Sequence, residues 1–434
     1  MRNVRFIISW LVLALIGWLA YTLLRAFATI IRLDVPFFDW QWYVPVIALL
    51  IVVPICLTHR LLHRRSTSFN KRTLITFAML FAWAIIGGNG FGQTIQLNPT
   101  QAALIKISFW AFGDLSQMPK SVIKDIAVTN GDIYLDIGRG PYGQALAAAM
   151  RRLAGDGIEV YWMLEAANFL STPVHREWIT NAQQAAAMIK REGLTNVRGL
   201  IGDVEPPMSV PLDLVGIDQS RFDQAVSDLR KLIDDIHHGY PDLKIGVTAM
   251  WAHYVDVLDG YADLSIVMRS PMDPPGGWDF VNLMTYASFV PPDWRAYYVY
   301  LHEQAMAKLY PRDRVSHLIG LVGEGMPGEA LMGVDDLVLD ARISYTLGVR
   351  EIVVFQLNGA LKVFGEDFVR RFVTAVNSPD AVINVPFSRP VSIVFYATAL
   401  VDALLDVRGP RVWLWIAWII ASGVIARRWS RGDL

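Results

Sequence analysis

Two carboxylates separated by one residue, Asp203 and Glu205, close an apolar stretch near the middle of the chain. Residues 197–204 have the composition of a β-strand, and the prolines at 206 and 207 end it. Because residues i and i+2 of a strand point to the same face, both acids project together. Paired carboxylates of this kind can perform general acid–base chemistry. The alternative interpretation is a helix cap beside a surface acid.

This stretch is the fourth of about eight apolar runs that alternate with amphipathic segments between residues 104 and 378. The runs carry Ile, Val and Leu on both faces, as strands covered by helices do. The predicted strands are 104–112, 132–137, 159–164, 197–204, 244–250, 280–286, 317–322 and 351–357. Alternation over ~250 residues predicts an α/β fold of the (β/α)8 TIM-barrel type, with a doubly wound sheet as the alternative. Residues 263–268 are predicted as an extra strand or as an excursion of the loop after the fifth strand.

Polar and aromatic residues recur at the carboxyl ends of these strands. In a TIM barrel those ends meet at one mouth, where catalytic groups lie. Carboxylates and amides can bind sugar hydroxyls while aromatic rings stack on the apolar sugar face, so the set predicts a saccharide site. The candidates for substrate binding are Asp136, Glu165, Trp251, Asn282, Met284, Glu324, Gln356 and Asn358. Tyr286 is a catalytic candidate with the acid pair, and Trp110 and Trp278 are further candidate sugar platforms.

Over residues 104–378 the chain resembles the chitinase-like family 18 glycoside hydrolases. The acid pair Asp203-x-Glu205 resembles the end of that family's acidic signature, and Asn282-Leu283-Met284-Thr285-Tyr286 resembles its sixth-strand segment. Ile319-Gly320-Leu321 is similar to its seventh strand. The chain departs from the pattern where Arg198 and Ile201 replace two upstream acids, and where Ala287 follows the Met-x-Tyr segment.

The resemblance implies a substrate-assisted glycosidase. Glu205 would be the general acid on the glycosidic oxygen, Asp203 would orient the N-acetyl group, and Tyr286 would bind the same acetamido carbonyl. The acetamido oxygen of the substrate would act as nucleophile, an exception to the usual two-carboxylate mechanism. Repulsion from the carboxylate of Asp203 would favour the protonated form of Glu205. No metal or organic cofactor is implied.

Three alternatives stay open. A retaining glycosidase would use Glu205 as acid/base and Glu324 as nucleophile. A dinucleotide-binding protein would use residues 138–143, which match Gly-x-Gly-x-x-Gly after a strand, although Pro141 lacks an N–H for a phosphate cradle. A saccharide-binding or scaffold barrel would bind a glycan without cleaving it.

The two ends of the chain are more apolar than its centre and have the composition of membrane segments. The sequence is 53% hydrophobic with a net charge of −1, so no bulk charge attracts nucleic acid. Apolar runs at 6–24, 42–58 and 74–88 are predicted as transmembrane helices, followed by one or two more at 391–405 and 412–425. The predicted domains are a membrane region at 1–94, the barrel at 95–385 and a second membrane region at 386–434.

The orientation follows from charge. The arginines and lysines between residues 60 and 72 form the densest basic loop, which the positive-inside rule puts in the cytoplasm. The third helix then delivers the barrel to the outer side. We therefore expect a multi-pass protein of a bacterial inner membrane with a periplasmic barrel. Its expected partners are a glycan substrate, the lipid bilayer and envelope-polysaccharide machinery, with no nucleic acid.

Overall fold

The computed structural model describes the central region of the chain and scattered positions at its two ends. The described residues are 94–98, 105–113, 115, 118–140, 142–165, 172–204, 219–250, 255–257, 263–268, 270–271, 277–320, 332–378 and 382–388, with isolated positions in 7–26 and 390–427. The chain divides into two units, one formed by residues 1–93 with 392–434 and one formed by residues 94–391. The second unit contains the barrel.

Eight parallel strands, β2 to β9, pair in sequence order, and β9 pairs with β2 to close a barrel. Their bounds are β2 Lys106–Phe112, β3 Ile133–Asp136, β4 Val160–Glu165, β5 Val197–Asp203, β6 Lys244–Met250, β7 Phe280–Met284, β8 Val315–Gly320 and β9 Glu351–Phe355. The predicted (β/α)8 barrel is confirmed, and the doubly wound alternative is wrong because the sheet has no open edge. The predicted strand 280–286 ends early, so Tyr286 lies two residues beyond β7.

Helices cover the outer face of the barrel. Their bounds are α1 Lys120–Val128, α2 Gln144–Gly155, α3 Thr172–Glu192, α4 Gln219–Gly239, α5 Asp263–Val267, α6 Pro292–Leu309, α7 Val334–Thr346, α8 Leu357–Phe364 and α9 Phe368–Val376. Apolar residues of α4 such as Phe222, Leu229 and Ile236 recur at helical spacing and are buried. Residues 263–268, predicted either as an extra strand or as an excursion of the loop after the fifth strand, contain helix α5. They are therefore an excursion of that loop and not a strand.

A two-stranded antiparallel ribbon was not predicted. Strand β1, Thr94–Leu97, pairs with β10, Ile383–Pro386, and Thr94 lies opposite Pro386. The ring of Phe387 packs edge-on against Tyr297 of α6 at 5.0 Å. The ribbon therefore joins the segment that leads into the barrel to the segment that leaves it.

The membrane segments predicted at 42–58 and 74–88 lie outside the described residues, and the other three are described only in part. Among the described residues, no helix has both the length and the apolar character required to cross a bilayer. The membrane prediction stays a prediction.

The barrel interior is layered. Its middle holds a cluster of buried side chains that includes Trp110, Tyr134, Tyr161, Ile201 and Leu318. The glycine at 246 gives room for this packing, because a Cβ there would approach the ring of Phe280 to 2.5 Å. The large rings fill the barrel, so the interior below the mouth is a packed core and not a channel.

The amino-terminal floor of the barrel carries a partly buried charge network. Lys106 forms an ion pair with Asp132, and its Nζ lies 3.6 Å from Glu351 Oε1. The hydroxyl of Ser108 donates to Glu351 at 2.7 Å and accepts the backbone N–H of Asp132 at 3.1 Å. Burial raises the pKa of Asp132 to about 6, and the neighbouring Lys106 charge opposes that rise.

Candidate functional site

Three carboxylates occupy one arc of the carboxyl-terminal mouth. Asp136, Glu165 and Asp203 are the last residues of the adjacent strands β3, β4 and β5. Glu165 lies directly beside Asp203 in the strand register. Asp203 projects to the same side as Ile201, which belongs to the interior cluster, and its Oδ1 is buried. The sequence-predicted acids of these three strands are therefore brought together at the mouth.

The carboxyl group of Asp136 is held by its own loop. Its Oδ1 accepts the backbone N–H of Gly138 at 2.7 Å. Burial raises the pKa of Asp136 above its ordinary value, the Gly138 hydrogen bond opposes the rise, and the charge of Glu165 adds to it. The arc is thus a region where a proton or a cationic group is favoured.

Aromatic rings occupy the adjoining arc, which begins at Phe112, beside Asp136 in the strand register. The ring of Phe112, the last residue of β2, lies 5.6 Å from that of Phe355, the last residue of β9. The Phe355 ring lies 5.4 Å from Tyr286, whose ring lies 6.1 Å from Phe289. Phe289 is 54% exposed. These four residues form an aromatic row that begins against the core and ends at an exposed ring.

The outer end of the aromatic row sits on a short, hydrogen-bonded turn. The 3-10 helix Ala287–Phe289 begins three residues after the end of β7. The N–H of Phe289 donates to the Tyr286 carbonyl at 3.2 Å, and the Ser288 hydroxyl donates to the Gly320 carbonyl of β8 at 3.3 Å. The exposed ring is therefore presented by backbone fixed to two barrel strands.

Of the other predicted site residues, Asn282 and Gln356 are buried, Met284 is half-buried and Asn358 is exposed. Asn282 is fully buried inside the barrel, where its Oδ1 accepts the hydroxyl of Ser316, and half-buried Met284 packs against the interior cluster. Gln356 is 7% exposed, and its peptide bond with Phe355 is cis. Asn358 lies in α8, where its side chain accepts the backbone N–H of Phe112 at 3.0 Å and donates to its carbonyl at 3.3 Å.

The tryptophans at 110 and 278 are each 1% exposed, so neither presents a ring face to solvent. Their prediction as sugar platforms is not supported by this burial. Glu205, Trp251 and Glu324 lie outside the described residues. Within the described part of the chain, no three His, Cys, Asp or Glu side chains are grouped as metal ligands.

The glycine-rich loop at 138–143, described except for residue 141, connects β3 to α2. Gly138 has a φ of 61°, and its N–H already donates to Asp136. The ring of Tyr142 packs near Trp162 at 6.1 Å, and burial together with the Asp136 charge raises the pKa of Tyr142 to about 12. One amide that a phosphate cradle would use is thus taken by a neighbouring carboxylate.

Sequence reasoning missed Phe112 and Phe289 as residues of the mouth. Phe112 shares its strand face with Trp110, and an assignment of inward and outward positions by period two would have found it. Phe289 has no strand pattern, and its distance of three residues from Tyr286 is its only signal.

No family model and no curated protein matches the chain. Solved structures with a similar arrangement include the PgaB (BpsB) glycoside hydrolase domain from Bordetella bronchiseptica. The alignment has 13% sequence identity and a TM-score of 0.43, and it covers 64% of this chain and 100% of that chain. A GH18 chitinase from Pseudoalteromonas aurantia aligns at 13% identity, 62% and 99% coverage and a TM-score of 0.41. An endo-1,4-beta-D-mannanase from Thermotoga petrophila RKU-1 aligns at 10% identity, 62% and 99% coverage and a TM-score of 0.45. Such distant likenesses carry no inference about activity, and the barrel assignment rests on the strand pairing itself.

Proposed function

We propose that the barrel binds and hydrolyses a glycan that contains N-acetylhexosamine. The observation that carries the proposal is the division of the mouth into an arc of carboxylates on β3 to β5 and an aromatic row from β2 to the turn after β7. A pyranose ring has an apolar face that stacks on aromatic rings and an edge of hydroxyl groups that carboxylates bind. The mouth offers both kinds of surface.

In the proposed reaction Glu205 protonates the glycosidic oxygen as the bond to the leaving group breaks. Asp203, two residues before it, orients the acetamido group, whose carbonyl oxygen attacks the anomeric carbon. The hydroxyl of Tyr286 donates a hydrogen bond to the carbonyl oxygen of that acetamido group. Water then opens the cyclic intermediate, with Glu205 accepting the proton of the water. The motif resemblance described above supports these roles.

We further propose that the apolar ends anchor the protein in the inner membrane with the barrel on the periplasmic side. The apolar runs and the basic loop between residues 60 and 72 support this orientation. An anchored barrel suits an envelope glycan, because such a substrate is too large to diffuse to the enzyme. Polysaccharide-handling proteins of the envelope are then the expected partners.

The test is hydrolysis of N-acetylglucosamine oligomers by the full chain, compared with the variants Glu205→Gln and Glu324→Gln. We expect Glu205→Gln to lower the rate by a factor on the order of 10²–10⁴ and Glu324→Gln to leave most of it. Equal losses in both variants would favour the retaining pair. Binding without cleavage by the wild type would identify a saccharide-binding barrel, and neither binding nor cleavage would refute the glycan proposal.

A second measurement tests the aromatic row. Phe289→Ala should weaken oligomer binding by about tenfold because it removes a stacking surface. Val128→Ala is the control, since Val128 is also exposed but ends α1, away from the mouth. Equal affinities of Phe289→Ala and wild type would exclude this ring from the binding surface.

A further inference from the structure

A band of polar side chains crosses the barrel interior below the mouth. Thr248 of β6 lies beside Asn282 of β7, and Asn282 lies beside Ser316 of β8. Gly202 of β5 lies beside Val247 of β6, which places the following residues, Asp203 and Thr248, side by side. The band therefore runs across four adjacent strands and reaches the candidate catalytic pair at Asp203.

All members of the band face inward. Asp203, Asn282 and Ser316 alternate along their strands with the same spacing as Ile201, Phe280 and Leu318, which line the interior cluster. Thr248 lies two residues after Gly246 and so shares its face of the strand. That face points inward, because a Cβ at Gly246 would contact the Phe280 ring. Thr248, Asn282 and Ser316 are at most 2% exposed.

On β6 and β7, two polar atoms of the band have no protein hydrogen-bond partner among the described residues. They are Thr248 Oγ1 and Asn282 Nδ2, on neighbouring strands at the same level. The other amide atom of Asn282, Oδ1, is fixed because it accepts the Ser316 hydroxyl. This bond turns Nδ2 away from Ser316 and leaves it as a donor. A buried amide or hydroxyl without a partner is destabilising by about 1–3 kcal/mol, so native interiors satisfy such groups.

We propose that a buried water joins Asn282 Nδ2 and Thr248 Oγ1 and completes a hydrogen-bond relay to the carboxylate of Asp203. Thr248 and Asn282 are neighbours in the strand register, and their two unpartnered atoms are not bonded to each other, so one water between the side chains can bond to both. Asn282 Nδ2 donates to the water, and the water with the Thr248 hydroxyl supplies donors toward Asp203. The water accepts from Asn282 Nδ2 and donates to Thr248 Oγ1, which gives it two polar partners, within the range of two to four found for internal waters.

The relay makes Thr248 and Asn282 positioning residues for the proposed reaction. Donors directed at Asp203 stabilise its charged form, so they lower its pKa and fix the orientation of its carboxylate. A carboxylate that orients an acetamido group must stay charged and must not rotate. The inference rests on the proposed function for its catalytic consequence, and the water itself is independent of it.

The kinetic test compares full-chain wild type, Thr248→Val and Thr248→Ser on N-acetylglucosamine oligomers. Valine keeps the shape of threonine without its hydroxyl, and serine keeps the hydroxyl. We expect Thr248→Val to lower kcat by about tenfold with KM within twofold, and to move the acidic limb of the kcat/KM profile to higher pH. Thr248→Ser should restore both. Thr180→Val, on the exposed side of α3, controls for the chemical change.

A crystal structure of the full chain at a resolution that shows ordered water gives the second readout. Density within hydrogen-bonding distance of both Thr248 Oγ1 and Asn282 Nδ2 is expected. Its absence would overturn the relay whether or not the protein hydrolyses glycans. If the water is present and the wild type is inactive, the proposed function fails and the buried water stands. If serine and valine behave alike in an active enzyme, the catalytic part of the inference is wrong.

Discussion

Replacing Asp132 with asparagine tests whether burial or the adjacent lysine dominates the charge network on the barrel floor. Asp132 is buried and forms an ion pair with Lys106, and its pKa is raised to about 6 from the ordinary 3.8. A paired carboxylate normally has a lowered pKa, so the raised value means that burial outweighs the lysine. The variant keeps the shape of the side chain and removes its titration, while Lys106 keeps Glu351 as a neighbour.

The magnitude follows from linkage between protonation and folding. Below pH 3.8 Asp132 is protonated in both the folded and the unfolded state. Between pH 3.8 and 6 only the folded state keeps the proton, so the stability that the raised pKa provides is lost as pH rises through this window. A difference of about two pH units corresponds to about 3 kcal/mol. The stability of Asp132→Asn relative to wild type should therefore rise by about 2.5 kcal/mol between pH 4 and pH 7, since the unfolded state is already partly ionised at pH 4.

Urea unfolding followed by tryptophan fluorescence measures this difference, because buried tryptophans such as Trp110 and Trp162 report on the barrel core. Subtracting wild type from variant at each pH removes the contributions of titrating groups outside the network of Asp132, Lys106 and Glu351. Asp234→Asn, at an exposed position in α4, controls for the substitution itself. A difference that falls with pH would show that Lys106 dominates and that the carboxylate is charged at low pH. A flat difference would remove Asp132 from the pH dependence altogether.

Two further substitutions test packing and pairing. Gly246→Ala should destabilise the barrel by about 1–3 kcal/mol, because its Cβ would meet the Phe280 ring at 2.5 Å; an unchanged unfolding midpoint would show that the ring moves freely. His317→Leu should destabilise it by about 1–3 kcal/mol, because it removes the 3.0 Å contact of His317 Nδ1 with Glu303 Oε1 and the hydrogen bond of Nδ1 with Ser344, all in the buried core. Adding Glu303→Leu should recover part of that loss in the same urea assay, and an additive double variant would contradict the pairing.

The barrel could be predicted because its signals are local. Strands with apolar residues on both faces, such as Val160–Glu165, and amphipathic helices such as Gln219–Gly239 carry their own periodicity. The ribbon of Thr94–Leu97 and Ile383–Pro386 has four-residue strands whose partners are nearly the whole barrel apart in sequence. Such strands have no internal pattern long enough to detect. Helix Asp263–Val267 is equally too short, at five residues, to separate a helical period from a strand.

The sequence could predict which residues lie at the strand ends, but not how deep their side chains lie or what they contact. Asn358 follows the last strand, as expected, yet its amide is bonded to the backbone of Phe112. Asn282 is the middle residue of β7, Phe280–Met284, and therefore lies inside the barrel rather than at its mouth. Residue type and strand membership are local properties, whereas the depth of a side chain in a barrel depends on the stagger of all eight strands.

Register explains why Glu165 is beside Asp203. Val160 lies opposite Val197, but the next residue, Tyr161, lies opposite Gly199, so one residue of β5 is skipped by an irregularity in the pairing. With regular pairing from Val160 onward, Ala166 and not Glu165 would lie opposite Asp203. Because side chains alternate between faces, the skipped residue also keeps Tyr161, Glu165, Gly199 and Asp203 on the inner face together. The meeting of two acids at the mouth thus depends on a single irregularity at the other end of the same two strands.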